Sequence, residues 1–464
     1  MKKPAFAFAL WLLLSISARA QTAENYVDLG NAQFNQQNYA GAIELYNRAI
    51  ALNPMYALAF YNRGTSYLKL ERYSEAVPDL SRSIVLDPAY ASAYYNRGYA
   101  YAKLNKLELA VADFTQMIAR VPNHTSSYFL RGNVYDELKR YDEAIADFTK
   151  VLLAEPDNAD AYFNRANEYR LSQKYDKAIA DYSAAIAFNP KDAAAFHRQG
   201  LCYAALKKFE EAIADYTKSL ALNGKSADAY IDRGNAYDAM DDSDKAFADY
   251  DAALGVDPTN YIAFYNRGYT LSRTHDYEKA IRDYSQALTL NPSYAIAYFG
   301  RAWSSEEMRK YDEALADYTK AISFEPDKSF FYIARGRVYA KVANYEAGIS
   351  DYLKVLASDP DNSSVRSDLG YMYLGTKNYQ AAEANFKRSI AQDAKIFDAM
   401  LGLAIASLNL GNQEQMKSAI RQAVAVEPRL AEGMAGIEKI EKDGYFYSDE
   451  DKRDLKKIFE LVLK

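Results

Sequence analysis

Small and apolar residues recur along this chain with a period of 34, without an insertion, from Ala23 to Pro428. With each repeat numbered 1 to 34 from Ala23, positions 4, 7, 8 and 11 fall on one stripe at helical spacing, and so do positions 20, 24 and 27. The pattern predicts two amphipathic helices per repeat. Position 8 is Gly or Ala in every repeat, from Gly30 to Ala404, and position 20 is Ala or Gly in all but the last, where it is Met416. Small residues fixed at these two places predict that the paired helix backbones approach closely there. Pro at position 32, as in Pro54, Pro88 and Pro428, stops the second helix and sets the turn into the next repeat. Of the 42 Tyr, 30 fall at positions 4, 11, 17 or 24, so most of them belong to the core pattern.

A fixed period of this length is the mark of a stacked solenoid. Twelve repeats fill residues 23–430 and leave almost no chain for a separate catalytic domain. The small residues, aromatics and closing prolines at these positions resemble the tetratricopeptide repeat family, over roughly nine tenths of the chain. The resemblance implies an all-α fold, a right-handed α-α superhelical solenoid of about twelve 34-residue helix-turn-helix repeats, with C-terminal capping helices. It also implies that the first helix of each pair lines a concave groove in which partner segments lie, and that neighbouring repeats bury each other's apolar faces.

One departure from the family pattern is informative. Position 7, usually Leu, is Arg63, Arg97, Arg131, Arg165, Arg233, Arg267, Arg301 and Arg335, with Gln199 in repeat six. Position 23 is Asp in repeats two to ten, Asp79 to Asp351. Repeats one, eleven and twelve carry Leu29, Leu369 and Leu403 at position 7 and Leu45, Asn385 and Ala419 at position 23. The two positions switch together, so each Arg is expected to pair with the Asp of its own repeat rather than to offer an Arg row to an anionic ligand.

The family's contact positions are 2, 5, 6, 9 and 13 of the first helices. Position 6 supplies Asn62, Asn96, Asn164 and Asn266; position 9 supplies Asn133, Asn167, Asn235, Tyr99, Tyr269 and Trp303; position 5 supplies Tyr95 and Tyr265. A side-chain amide offers a donor and an acceptor, so a row of amides can pair with the backbone of an extended peptide. The row is similar to the asparagine ladder of the intracellular O-linked N-acetylglucosamine transferases, although Leu130, Asp232, Gly300 and Ala334 interrupt it. The interleaved aromatics suit peptide anchoring. The alternative for position 5 is packing against a neighbouring repeat. The basic clamp with which chaperone-binding repeats grip a terminal carboxylate is absent from positions 2, 5 and 6.

Lys2 and Lys3, the apolar run Ala5–Ile16 and Ala18-Arg19-Ala20 read as a cleavable signal peptide over 1–20 with Gln21 as the first mature residue. No Cys stands at the cleavage site for lipid attachment, and no later stretch is apolar enough to anchor the chain in a membrane. The expected location is periplasmic or secreted. Without the leader, 53 basic face 62 acidic residues, a net charge of −9, which argues against nucleic acid as a partner. Cys202 is the only cysteine and reads as a packed thiol.

No catalytic residue, cofactor or metal site is predicted. His124, His197 and His275 lie far apart, the carboxylates recur with the repeat, and no phosphate loop is present. The expected function is a non-enzymatic interaction scaffold that binds an extended peptide or protein in the groove, in cell-envelope assembly or secretion. The alternative is glycan or cell-wall binding by the aromatic groove. The expected domains are a regular array over 23–360, divergent repeats over 361–430 and a helical cap over 431–464. In the cap, a helix is expected from Leu430 to about Lys442. Ser448 and Asp451 then form a capping box for a last helix with Leu455, Ile458, Phe459, Val462 and Leu463 on one face. That face either seals the array or docks a partner or a second copy of the chain.

Overall fold

The computed structural model describes residues 22–462, which hold 26 α-helices and no strand. The expected leader over 1–20 and Leu463 lie outside the described residues. Every repeat builds a first helix of 13 residues and a second of 14, from Ala57–Lys69 and Tyr73–Leu86 in repeat two to Phe397–Asn409 and Gln413–Val426 in repeat twelve. The chain forms two compact bodies, one ending at Ala236 and one beginning at Tyr237. The division falls within the first helix of repeat seven, Ala227–Ala239.

The turn between paired helices uses a device that the residue types do not announce. Position 15 is left-handed in every repeat, with φ of 55° to 64° from Gln37 and Glu71 through Lys377, and is Gly only at Gly411. A residue with a Cβ resists this conformation by roughly 1–2 kcal/mol. Two backbone hydrogen bonds hold it: in repeat two, Arg72 N–H donates to Tyr67 C=O (2.9 Å) and Glu71 N–H to Leu68 C=O (3.0 Å). These satisfy carbonyls that the end of the first helix would otherwise leave open.

The small residue at position 8 answers to the ring at position 24 of its own repeat. A Cβ on Gly30 would stand 2.5 Å from the Tyr46 ring, and one on Gly370 would stand 2.5 Å from Phe386. These rings are among the largest fully buried side chains of both bodies: Tyr46, Phe114, Phe148, Tyr182 and Tyr216 in the first, Tyr250, Tyr284, Tyr318, Tyr352 and Phe386 in the second. Position 20, Ala42 to Ala382, is buried with them.

The Arg–Asp pairing is intramolecular and within the repeat. Arg97 Nε and Nη2 donate to Asp113 Oδ2 and Oδ1, both at 2.7 Å. The same two-pronged pair joins Arg63–Asp79, Arg131–Asp147 and Arg165–Asp181 in the first body, and Arg267–Asp283, Arg301–Asp317 and Arg335–Asp351 in the second. The third guanidinium nitrogen reaches back to position 25 of the preceding repeat: Arg97 Nη1 to Ser81 Oγ (3.0 Å), Arg131 Nη1 to Thr115 Oγ1 (2.7 Å), Arg335 Nη1 to Thr319 Oγ1 (2.9 Å). The guanidinium also lies over the position 4 ring, 5.8 Å from Tyr94 in the case of Arg97. Each Arg thus ties its own helix pair and stitches it to the pair before. Repeat six breaks the pattern. Gln199 Nε2 reaches back to Ser183 Oγ (2.6 Å) and Ile179 O (3.1 Å), and Asp215 Oδ2 is left buried with no hydrogen-bond partner.

Pro78 is the sixth residue of Tyr73–Leu86, beyond the first turn, and the helix runs through it without the N–H that would have met the Ser74 carbonyl. One local expectation needs correction. The helix expected from Leu430 is split: a 3₁₀ turn spans Pro428–Glu432, Gly433 takes φ 64°, and the helix proper is Met434–Glu441. Gly436 permits the close approach at the break, since a Cβ there would meet the Arg429 carbonyl oxygen at 2.1 Å. The capping box forms as expected, with Asp451 N–H donating to Ser448 Oγ (3.1 Å) and Ser448 N–H to Asp451 Oδ2 (3.0 Å). The last helix, Asp449–Val462, buries Leu455, Ile458 and Phe459 in one cluster with Leu401, Ile405, Ile420 and Ile437. That face seals the end of the array.

Candidate functional site: the first-helix face and the cavity at repeats nine to twelve

In the first body the predicted amides form links between repeats. Asn62 Nδ2 donates to Asn31 Oδ1 (2.9 Å), Asn96 Nδ2 to Thr65 Oγ1 (3.0 Å), and Asn164 Nδ2 to Asn133 Oδ1 (3.1 Å). Position 6 of one repeat is thereby tied to position 9 of the one before. Asn167 Oδ1 accepts from the buried Tyr182 hydroxyl at 2.7 Å. Each amide can form more bonds than these, so the ladder is braced and still able to pair outward. Asn235 is exposed.

The aromatics divide by position. At position 5, Tyr95 packs edge-on against His124 (5.0 Å between ring centres) and tilts onto Phe114 (6.0 Å). Tyr265 does the same with Tyr294 (5.2 Å) and Tyr284 (5.8 Å), and burial pushes its hydroxyl up to about 12. Position 5 is therefore half-buried structure, shared with the ring of its own repeat and the loop that follows. Position 9 is more open: Tyr269 is 52 % exposed, and Tyr99 is half-buried with Lys103 Nζ 5.6 Å over its ring. Asn266, at position 6, is half-buried. Trp303 meets Tyr277 edge-on at 5.9 Å.

Of the predicted residues, only Trp303 lines a substantial cavity. That cavity lies in the second body and has a volume of about 660 Å³. Its walls come from the first helices of four successive repeats: Trp303 and Glu306, Arg337 and Lys341, Asp368 and Tyr371, Phe397 and Asp398. The loop before the last helix closes one side with Tyr445 and Phe446, and the first turn of that helix adds Asp451. Sequence reasoning passed over Asp368, Asp398 and Arg337 because it followed the amide row. The available signal was an acid at position 6 of repeat eleven and at position 2 of repeat twelve, two of the repeats that lack the Arg–Asp pair.

The carboxylates of the cavity differ in their partners. Asp398 accepts from Ser367 Oγ (3.0 Å) and from the Tyr447 hydroxyl (3.0 Å). Glu306, almost fully buried, accepts from the Tyr318 hydroxyl (2.9 Å) and from Lys341 Nζ (2.8 Å). Asp451 is held by the Ser448 hydroxyl at 2.6 Å. Asp368 makes no hydrogen bond and no ion pair with any described residue. Burial, reinforced by the charge of Asp398 and opposed by Arg337, pushes its pKa up to about 7. Burial likewise takes Asp451 up to about 6.

After a turn at Gly444 (φ 97°), the non-helical segment Tyr445–Ser448 lies on this face. Tyr447 is 1 % exposed, its ring edge-on to Tyr371 at 6.0 Å, and the Tyr445 ring lies 5.0 Å from Phe397. Tyr445 and Phe446 remain exposed, at 41 % and 55 %.

Elsewhere, Cys202 is fully buried, and burial raises its thiol to about 11. His197 Nε2 lies 2.8 Å from Asp232 Oδ2. Among the described residues, no group of three or more His, Cys, Asp or Glu is placed to hold a metal ion, and no helix is long and apolar enough to cross a membrane.

Sequence profiles described as TPR repeat match residues 30–71 and 64–105. Profiles described as tetratricopeptide repeat match 91–124, 126–158, 159–192, 193–226, 227–260, 261–294, 295–328 and 333–395. No relative is found among curated proteins. Similar solved structures include MamA (25 % identity, covering 38 % of this chain and 95 % of that one, TM-score 0.36) and yeast Tom70 (17 %, 91 % and 95 %, 0.37). Another is the C-terminal part of a TPR repeat-containing protein from Cytophaga hutchinsonii (20 %, 52 % and 98 %, 0.47). With repeat profiles matching most of its length, the chain belongs to the tetratricopeptide repeat family, whose members mediate protein–protein interaction and are in general non-catalytic.

Proposed function

We propose that the first-helix face binds an extended segment of a protein partner, and that the protein is a non-enzymatic scaffold for assembly or secretion in the cell envelope or beyond it. One observation carries the reading: the chain's own non-helical segment Tyr445–Ser448 already lies on this face in repeats eleven and twelve. There Tyr447 sits edge-on to the position 9 ring of Tyr371 and donates its hydroxyl to the position 2 carboxylate of Asp398. Equivalent positions in earlier repeats offer the same kinds of groups, with Tyr269 and Asn235 exposed. The leader over residues 1–20 supports the location.

The test is crosslinking capture from the native envelope with the parent protein and with Tyr269→Ala. Tyr269 suits this better than Asn62, whose loss would also break the link to Asn31. A partner enriched by the parent, lost with the variant, and removed by protease but not by glycosidase supports the reading. Equal capture by both places binding on another surface. Amino-terminal sequencing of the extracted protein tests the location, with Gln21 expected as the first residue.

A further inference from the structure

We propose that the cavity formed by repeats nine to twelve is a receptor for a cationic side chain, arginine or lysine, presented by the extended partner segment. This deepens the groove reading and rests on it.

The cavity is lined by six carboxylates, Glu306, Glu307, Asp368, Asp393, Asp398 and Asp451, and by three cations, Arg337, Lys341 and Lys395. Lys341 is already engaged with Glu306. Arg337 makes no ion pair with any described carboxylate. Asp368 stands on the cavity wall with its oxygens unpaired, while Glu306, Asp398 and Asp451 have hydroxyl or ammonium partners. A carboxylate held this way, beside a second carboxylate and with Arg337 near but not ion-paired to it, is destabilised in its ionised form. A cation delivered from outside removes that penalty, and clefts with such groups are where ligands bind.

The aromatic walls point the same way. Trp303, Tyr345, Tyr371 and Phe397 are among the lining residues, and aromatic rings attract a guanidinium or an ammonium. Tyr445 and Phe446 expose large apolar surfaces at the same cavity, where a partner's backbone would cross. A volume of about 660 Å³ exceeds the needs of a single ion and suits a segment of several residues. No donor set among the described residues is arranged for a metal.

The experiment is selection from a random dodecapeptide display library against the whole protein and against Asp368→Asn, followed by titration calorimetry with the selected peptides. The expected result is enrichment of Arg or Lys at one position. Binding should weaken by roughly 30-fold or more in Asp368→Asn, in keeping with the loss of one partner of a desolvated charge pair. Citrulline in place of the selected arginine, measured on the parent protein, should weaken binding to a similar extent and needs no variant to fold. Free arginine amide competing as well as the peptide would show that the side chain alone is the ligand and would overturn the segment. Peptides that bind without basic enrichment, or equally well with citrulline, would overturn the cation receptor and leave the groove reading standing. If no peptide is selected by either protein, both fall.

Discussion

Arg97 and Asp113 meet in a two-pronged ion pair, 2.7 Å on each prong, while the remaining nitrogen of the same guanidinium reaches Ser81 of the preceding repeat at 3.0 Å. One side chain therefore closes its own helix pair and fastens it to its neighbour. Asp113 is 4 % exposed, so its charge depends on Arg97 for compensation. Loss of one partner of such a buried pair costs ~3–5 kcal/mol, whereas replacing both with apolar groups is often near neutral.

Arg97→Leu is therefore expected to lower the melting temperature more than the double change Arg97→Leu with Asp113→Leu. The residual loss in the double variant reports the bond to Ser81. A double-mutant cycle on thermal melting checks this, and equal losses in single and double variants would refute the coupling.

Repeat six lacks the pair, and Asp215 is left with a buried oxygen that nothing satisfies. Gln199→Arg should restore the arrangement of its neighbours and stabilise the protein by about 1–3 kcal/mol, the usual cost of an unmet buried polar group. Burial holds the Asp215 pKa up near 7. In the variant that value should return toward the ordinary carboxylate range, as read by NMR of the side-chain carboxyl. An unchanged melting temperature would count against the pairing.

Stability should fall as pH rises through neutrality. Glu168 is 1 % exposed, and burial with the nearby charge of Asp136 takes its pKa up to about 8, with Arg170 opposing. Between its ordinary value and about 8 the folded chain holds a proton that the unfolded chain has released, so this contribution is complete at low pH and lost as pH passes 8. Asp215, held near 7, has the same sign. Melting curves from pH 5 to pH 9 should show a smaller drop for Glu168→Gln than for the parent.

Tyr447 anchors the cap through its buried ring and its bond to Asp398. Tyr447→Ala should cost about 3–5 kcal/mol, as for other buried aromatics, and Tyr447→Phe about 1 kcal/mol for the hydrogen bond alone. Because repeat arrays open locally, hydrogen exchange should rise over 397–462 and leave the first body unchanged. Global loss of protection would show that the cap controls more than its own end.

The sequence by itself determined the period, the paired helices, the aromatic core and the partners in the Arg–Asp ladder. Each of these repeats many times, and a residue that must meet the same neighbour in every repeat leaves a periodic trace. Even Gln199 and Asp215 could be read as a lapse, because the regular repeats define what is missing. Tertiary structure decided what is local or occurs once. The left-handed residue at position 15 is Gln, Glu, Asn, Lys, Asp, His, Arg or Ala, since two backbone hydrogen bonds, indifferent to side chain, hold it there. The amides at positions 6 and 9 brace one another because stacking brings residues 31 apart within hydrogen-bond distance. The cavity was hidden for the same reason. Glu306, Arg337, Asp368, Asp398 and Asp451 come from four repeats and the cap, and only the packing of the cap against the last repeats gathers their charges around one space.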